Sequence, residues 1–154
     1  MMNHRESAAL PSPYFKQEHE ALRAQGTARA SFAQQCLHHA FEDVVRRTPD
    51  AVAVCVDDES ISYDALNKQA NRLAHHLGTL GVRPGALVGV CLERSIDLVA
   101  AILAVLMAGG AYVPLDPDCP IQRIRGMIED ARPRAIVAST STRRHVEASE
   151  ALVV

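Results

Sequence analysis

The sequence predicts an α/β fold, a mostly parallel sheet flanked by helices. Three observations carry that expectation. Short apolar runs at Ala86–Leu92, Ala111–Leu115 and Ala135–Ala138 alternate with stretches of helical periodicity, the pattern of strands joined by helical crossovers. Ala86–Leu92 is apolar on both of its faces, as strands of parallel sheets are. Between Leu98 and Ala108 no side chain is polar, and a helix without a wet face needs cover on nearly all sides.

Residues 1–36 are expected to form a loosely ordered leader, with Pro11, Pro13 and scattered charges and a short helix near Lys16–Gln25. Leu37, Phe41, Val44 and Val45 then fall at helical spacing, and Thr48-Pro49 stops that helix. Ala51–Val56 reads as a strand, Asp57-Asp58-Glu59 as a turn, and Ser60–Ser62 as the return strand of a small hairpin. Tyr63–Leu77 is an amphipathic helix with Leu66, Ala70, Leu73, Ala74 and Leu77 on one face, ended by Gly78 or Gly81. Val82-Arg83-Pro84-Gly85 turns the chain into the Ala86–Leu92 strand.

Ser95 is placed to cap the apolar helix through its hydroxyl. Ala100, Ala104 and Ala108 recur every fourth residue and give a flat ridge for close packing. Gly109 is placed for the left-handed conformation that ends helices. Ala111–Leu115 reads as a short buried strand, and Asp116, preceding Pro117, is biased away from helix. Pro120 suits the first turn of a helix in which Ile121, Ile124, Met127 and Ile128 share a face, closed by Pro133. After the Ala135–Ala138 strand come a polar turn at Ser139–Thr142 and a short helix over Arg143–Glu150. Ala151–Val154 looks like the start of a further strand, which suggests that the chain is part of something larger.

Composition narrows the function classes. At 154 residues the chain is long enough for one compact domain, burying roughly 68–70% of its unfolded surface. The net charge of −2 gives no basic footprint for nucleic acid or a membrane surface. No apolar run reaches the ~20 residues a membrane helix needs, and no charged-then-apolar signal pattern opens the chain, so a cytoplasmic location is expected. Cys36, Cys55, Cys91 and Cys119 form no CxxC pair; Cys55 and Cys91 fall in expected strands and read as small buried hydrophobes.

Candidate site residues each have a simpler reading. Asp116 fixes a turn before Pro117. Tyr63 and Tyr112 are packing residues whose hydroxyls find partners. Neighbours in the pairs His38-His39 and His75-His76 point about 100° apart on a helix, unlike the i,i+4 spacing that chelates one ion. Glu93-Arg94-Ser95 follows the C-terminal end of a strand, where α/β proteins bind ligands, yet helix capping by Ser95 accounts for it. Gly109-Gly110 follows a helix and lacks the dinucleotide-turn spacing.

From about Leu37 onward the sequence resembles the adenylation domains of nonribosomal peptide synthetases, within the adenylate-forming (AMP-binding) superfamily. HHAFEDVVRRTPDAVAVCV (His38–Val56) is similar to that family's leading helix and first strand. ISYDALNKQANRLAHHLGTLGVRPGALVGVCLERSIDLVAAILAVL (Ile61–Leu106) resembles its first core motif with the strand and helix that follow. MAGGAYVPLDPDCPIQRIRGMIEDARPRAIV (Met107–Val137) resembles its second, A-G-x-A-Y-V-P-L-D-P-x-x-P. Cys119 stands where the family usually has an aromatic and Gln122 where it usually has Glu.

The resemblance implies that residues 37–154 are the start of the adenylation domain's large subdomain, an incomplete N-terminal part truncated before the nucleotide loop. The full-length family activates an amino or aryl acid with ATP and Mg to an acyl-adenylate, then loads it on a carrier-domain phosphopantetheine. ATP and Mg are therefore cofactors of the complete domain, with none bound by this stretch. Its partners are the remainder of the adenylation domain or synthetase and the carrier domain. The family's nucleotide loop, acyl pocket and C-terminal lysine match nothing here, so no residue is assigned a catalytic, cofactor-binding or metal role. Ser139-Thr140-Ser141-Thr142 has no glycine to bring amides against phosphate and no following lysine. The chain by itself is expected to be inactive. The alternatives are a non-catalytic interaction module or one half of a split adenylating enzyme.

Overall fold

The computed structural model describes residues 36–147 and 151–154. The expected leader up to residue 35, its helix near Lys16–Gln25, and the last three positions of the expected Arg143–Glu150 helix lie outside the described residues.

Helix α1 (Leu37–Arg47) ends as expected, with the Thr48 amide and hydroxyl both donating to the Val44 carbonyl, at 2.9 and 3.2 Å. Strands β1 (Val52–Val56) and β2 (Glu59–Ser62) form an antiparallel hairpin that is a sheet of its own. Its tight turn puts Asp57 at φ +51°, a left-handed position that Asp tolerates better than most residues. Ser62 then caps helix α2 (Tyr63–Thr79), accepting the Ala65 amide at 3.3 Å.

Helices α2 and α3 (Ile96–Met107) end in the same way. In α2 the Gly81 amide donates to the Gly78 carbonyl and the Val82 amide to Leu77. In α3 the Gly109 amide donates to Leu106 and the Gly110 amide to Val105. These are the paired bonds of the Schellman motif, and they need a positive φ: +86° at Gly81 and +82° at Gly109. Gly81, rather than Gly78, therefore ends α2. Val82 and Leu77, which the motif brings together, are both fully buried.

The main sheet holds strands β3 (Leu87–Cys91), β4 (Ala111–Pro114), β5 (Ala135–Ala138) and β6 (Leu152–Val153), all parallel, in the order β4-β3-β5-β6. Helix α4 (Ile121–Ala131) joins β4 to β5, with Pro120 one position ahead of its first turn. The alternation along β3 divides the core. Val88 and Val90 face Leu77, Val82, Ala101, Ala104 and Val105 from α2 and α3. Cys91 lies on the opposite side with Leu115, Ile124, Ile128, Ile136 and Val146, under α4. A third cluster joins Leu66 and Ala70 of α2 to Ala100 and Leu103 of α3, roofed by Phe41 of α1 and by Ala53, Val54 and Ile61 of the hairpin.

Helix α3 is covered as its composition demands: no residue from Leu98 to Ala108 is exposed. Four expectations change. Ala111–Leu115 is not a buried strand, because β4 lies at the sheet edge; Ala111, Tyr112 and Pro114 are exposed and only Leu115 is buried. Tyr112 is accordingly 42% exposed rather than packed. Cys55 is exposed, since it sits on the outer face of the hairpin. Within its described part, the expected Arg143–Glu150 helix is a single 3-10 turn at Arg143–His145. No described helix is long and apolar enough to cross a membrane.

Two glycines should respond to substitution with opposite signs. A Cβ on Gly89 would lie 3.0 Å from Leu115 Cδ1 and 3.1 Å from Ile136 Cγ1, and neither neighbour has room to give because both are buried. Gly89→Val is expected to destabilise the fold by about 1–3 kcal/mol, the cost of overpacking a core. Gly126 is exposed inside α4 with nothing within 4 Å, so Gly126→Ala should stabilise by up to about 1 kcal/mol through helix propensity. Urea unfolding of both variants measures the two signs.

Candidate functional site

Open parallel sheets present their ligand crevice at the C-terminal strand ends, where the strand order reverses. Here the chain runs from β3 to β4 on one side and then to β5 on the other. The crevice therefore lies between the segment after β3 (Leu92–Ser95) and the segment after β5 (Ser139–Thr142), with Leu115-Asp116-Pro117 beside it after β4. The fold thus gathers Glu93-Arg94-Ser95, Asp116 and Ser139–Thr142 at one edge. Gly109-Gly110 stands at the opposite end, immediately before β4 begins.

The hydroxyls of Ser95, Ser139, Ser141 and Thr142 at this edge are bonded to one another, to nearby backbone or to Glu93. Thr142 is the sole buried polar residue among the described residues. Its hydroxyl donates to the Cys91 carbonyl at 2.5 Å and accepts the Ser139 amide at 3.0 Å. Ser139 Oγ accepts the Thr142 amide at 3.2 Å and lies 2.8 Å from Ser141 Oγ. Ser141 Oγ donates across the crevice to Glu93 Oε1 at 3.3 Å. Ser95 Oγ donates to the Glu93 carbonyl at 3.1 Å while accepting the Leu98 amide at 3.2 Å as the α3 cap. Asp116 Oδ1 accepts the Asp118 amide at 3.0 Å, and its carbonyl accepts the Cys119 amide at 3.0 Å. That is the turn-forming role expected of an Asp before Pro.

Cys91 lies beneath this network. Burial pushes its thiol pKa above the ordinary value; the Thr142 hydroxyl partly opposes that, and the negative charge of Asp116 adds to it. A thiol held neutral in this way is a core group and not a nucleophile.

The remaining candidates stand elsewhere. Tyr63 stacks at a tilt on Phe41, with ring centroids 5.8 Å apart. Docking of α1 against α2 brings His38 and His39 into one open pocket with Glu42, Asn71, Ala74, His75 and Met107. Sequence adjacency did not reveal that grouping, which depends on tertiary packing; the i,i+4 spacings of His38 with Glu42 and Asn71 with His75 were its available signal. No group of three His, Cys, Asp or Glu able to hold a metal ion occurs among the described residues. The Thr142–Cys91 bond was also missed, its signal being a Thr in the turn that follows a buried strand.

A family model described as AMP-binding enzyme matches residues 41–153. Malpinin synthetase of Mortierella alpina is 50% identical over 118 residues, which is 77% of this chain and 2% of that protein. A crystal structure of the nonribosomal peptide synthetase FmoA3 superposes with a TM-score of 0.74 at 35% identity, covering 78% of this chain and 13% of that one. A holo four-domain nonribosomal peptide synthetase bound to AMP and glycine superposes with a TM-score of 0.72 at 32% identity, covering 79% of this chain and 9% of that one. The chain therefore spans about 2% of the length of the first curated relative and about 13% of the first solved one.

Two measurements check the crevice network. Thr142→Val keeps the side-chain shape but leaves the Cys91 carbonyl without its hydroxyl donor; a loss of about 1–3 kcal/mol is expected, against less than about 0.5 kcal/mol for exposed Ser141→Ala. Because the folded state holds the Cys91 proton to higher pH than the unfolded state, its contribution is full below the ordinary thiol pKa. That contribution is lost as pH rises through the raised one. Stability measured by urea titration should fall across that alkaline window, and the part due to Cys91 should vanish in Cys91→Ala.

Proposed function

The chain belongs to the AMP-binding enzyme family, and we propose that it supplies the opening part of the large subdomain of a nonribosomal peptide synthetase adenylation domain. In this reading residues 37–154 are scaffold for a reaction completed by other segments. The complete domain activates an amino or aryl acid with Mg·ATP, releasing pyrophosphate, and passes the acyl group to a carrier-domain phosphopantetheine thiol. The observation that carries the reading is the family match over residues 41–153. The β3–α3–β4 unit, with its AGGAYVPLDP turn, lies at the centre of that stretch.

In this reading the loop after β5 is not a phosphate loop. Ser139–Thr142 offers no glycine and no lysine to a phosphate, and the hydroxyls of Ser139, Ser141 and Thr142 are bonded within the loop and to β3 and Glu93. In this reading the described residues take no catalytic, cofactor-binding or metal role. A cytoplasmic location belongs to the same proposal.

A second reading has a specific observation in its favour. Among the described residues no strand pairs with the outer edge of β4, and Tyr112 on it is 42% exposed; an edge of this kind accepts another strand. The partner in that reading is the remainder of the adenylation domain, carried on the same or another polypeptide.

ATP–pyrophosphate exchange separates these readings. The 154-residue chain is expected to give no amino-acid-dependent exchange above a protein-free control, and clear exchange would overturn the scaffold assignment. Mixing it with a separately expressed remainder of the domain should restore exchange if the two halves can associate in trans. Failure of the two to co-purify would rule out the split-enzyme reading while leaving the scaffold reading in place.

A further inference from the structure

We draw no further inference here: the strongest candidate, the open pocket between helices α1 and α2 lined by His38, His39, Glu42 and His75, carries nothing because these side chains form no group able to hold a metal ion and nothing in the structure shows what fills it.

Discussion

Helix α3 has nothing to offer water between Leu98 and Ala108, and the rest of the structure is arranged to keep water from it. Its small residues decide how. Ala100 and Ala104 are fully buried, and their short side chains let α2 lie close along the helix with Leu66, Ala70 and Leu77. Val105 and Ala101 meet Val88 and Val90 of β3 on the sheet side. The hairpin and α1 close the remaining gap through Ile61, Val54 and Phe41. At about 1.5–3 kcal/mol for each large aliphatic side chain taken from water, this burial outweighs any single hydrogen bond in the fold. Polar contacts set its register instead: Gln69 Nε2 donates to Asp97 Oδ1 at 2.6 Å and ties α2 to the first turn of α3.

Burying a helix on a parallel sheet requires the chain to reverse sharply after each helix. Both α2 and α3 do so with one device, a left-handed glycine followed by a residue whose amide reaches back to the third-last helical carbonyl. After α3 the second glycine is itself constrained. A Cβ on Gly110 would lie 3.0 Å from Val82 Cγ1 and 3.2 Å from the Ala86 carbonyl oxygen. The two reversals are therefore packed against each other, and they set β3 and β4 side by side with Leu87 opposite Ala111. Helix α4 reverses without glycine. Arg132 takes φ +47°, a conformation costing a residue with a Cβ roughly 1–2 kcal/mol, and Pro133 prevents the helix from continuing.

Local chemistry was legible in the sequence wherever a residue acts on its own neighbourhood. Ser95 as a cap, Gly109 as a stop, Asp116 as a turn former and the amphipathic face of α2 all act within a few positions, and the structure has each of them. The resemblance of the motifs from Leu37 onward likewise located the fold class. What was not legible depends on the order of strands. An apolar run such as Ala111–Leu115 reads the same at the centre of a sheet or at its edge, and only the β4-β3-β5-β6 order exposes Tyr112. Cys55 misled for a related reason: in a two-stranded hairpin one face has no second layer. The Thr142 bond to Cys91 spans 51 positions, beyond any local pattern.

The crevice at the C-terminal strand ends makes the functional case from physical chemistry. A hydroxyl that donates its one proton inside the fold has none to offer a ligand. The Thr142 proton goes to the Cys91 carbonyl and the Ser141 proton to Glu93, while Ser95 is committed to the Glu93 carbonyl and the α3 cap. Each of these bonds fixes a strand end or a helix start, so removing any one to bind a phosphate would loosen the support that holds the site. Position in the sheet marks a crevice, and the hydroxyls of Ser95, Ser141 and Thr142 within it are engaged in the fold's own bonds. The bonds of Thr142 to β3 and of Ser95 at the start of α3 hold the ends of β3 and β5 and the entry to α3 together.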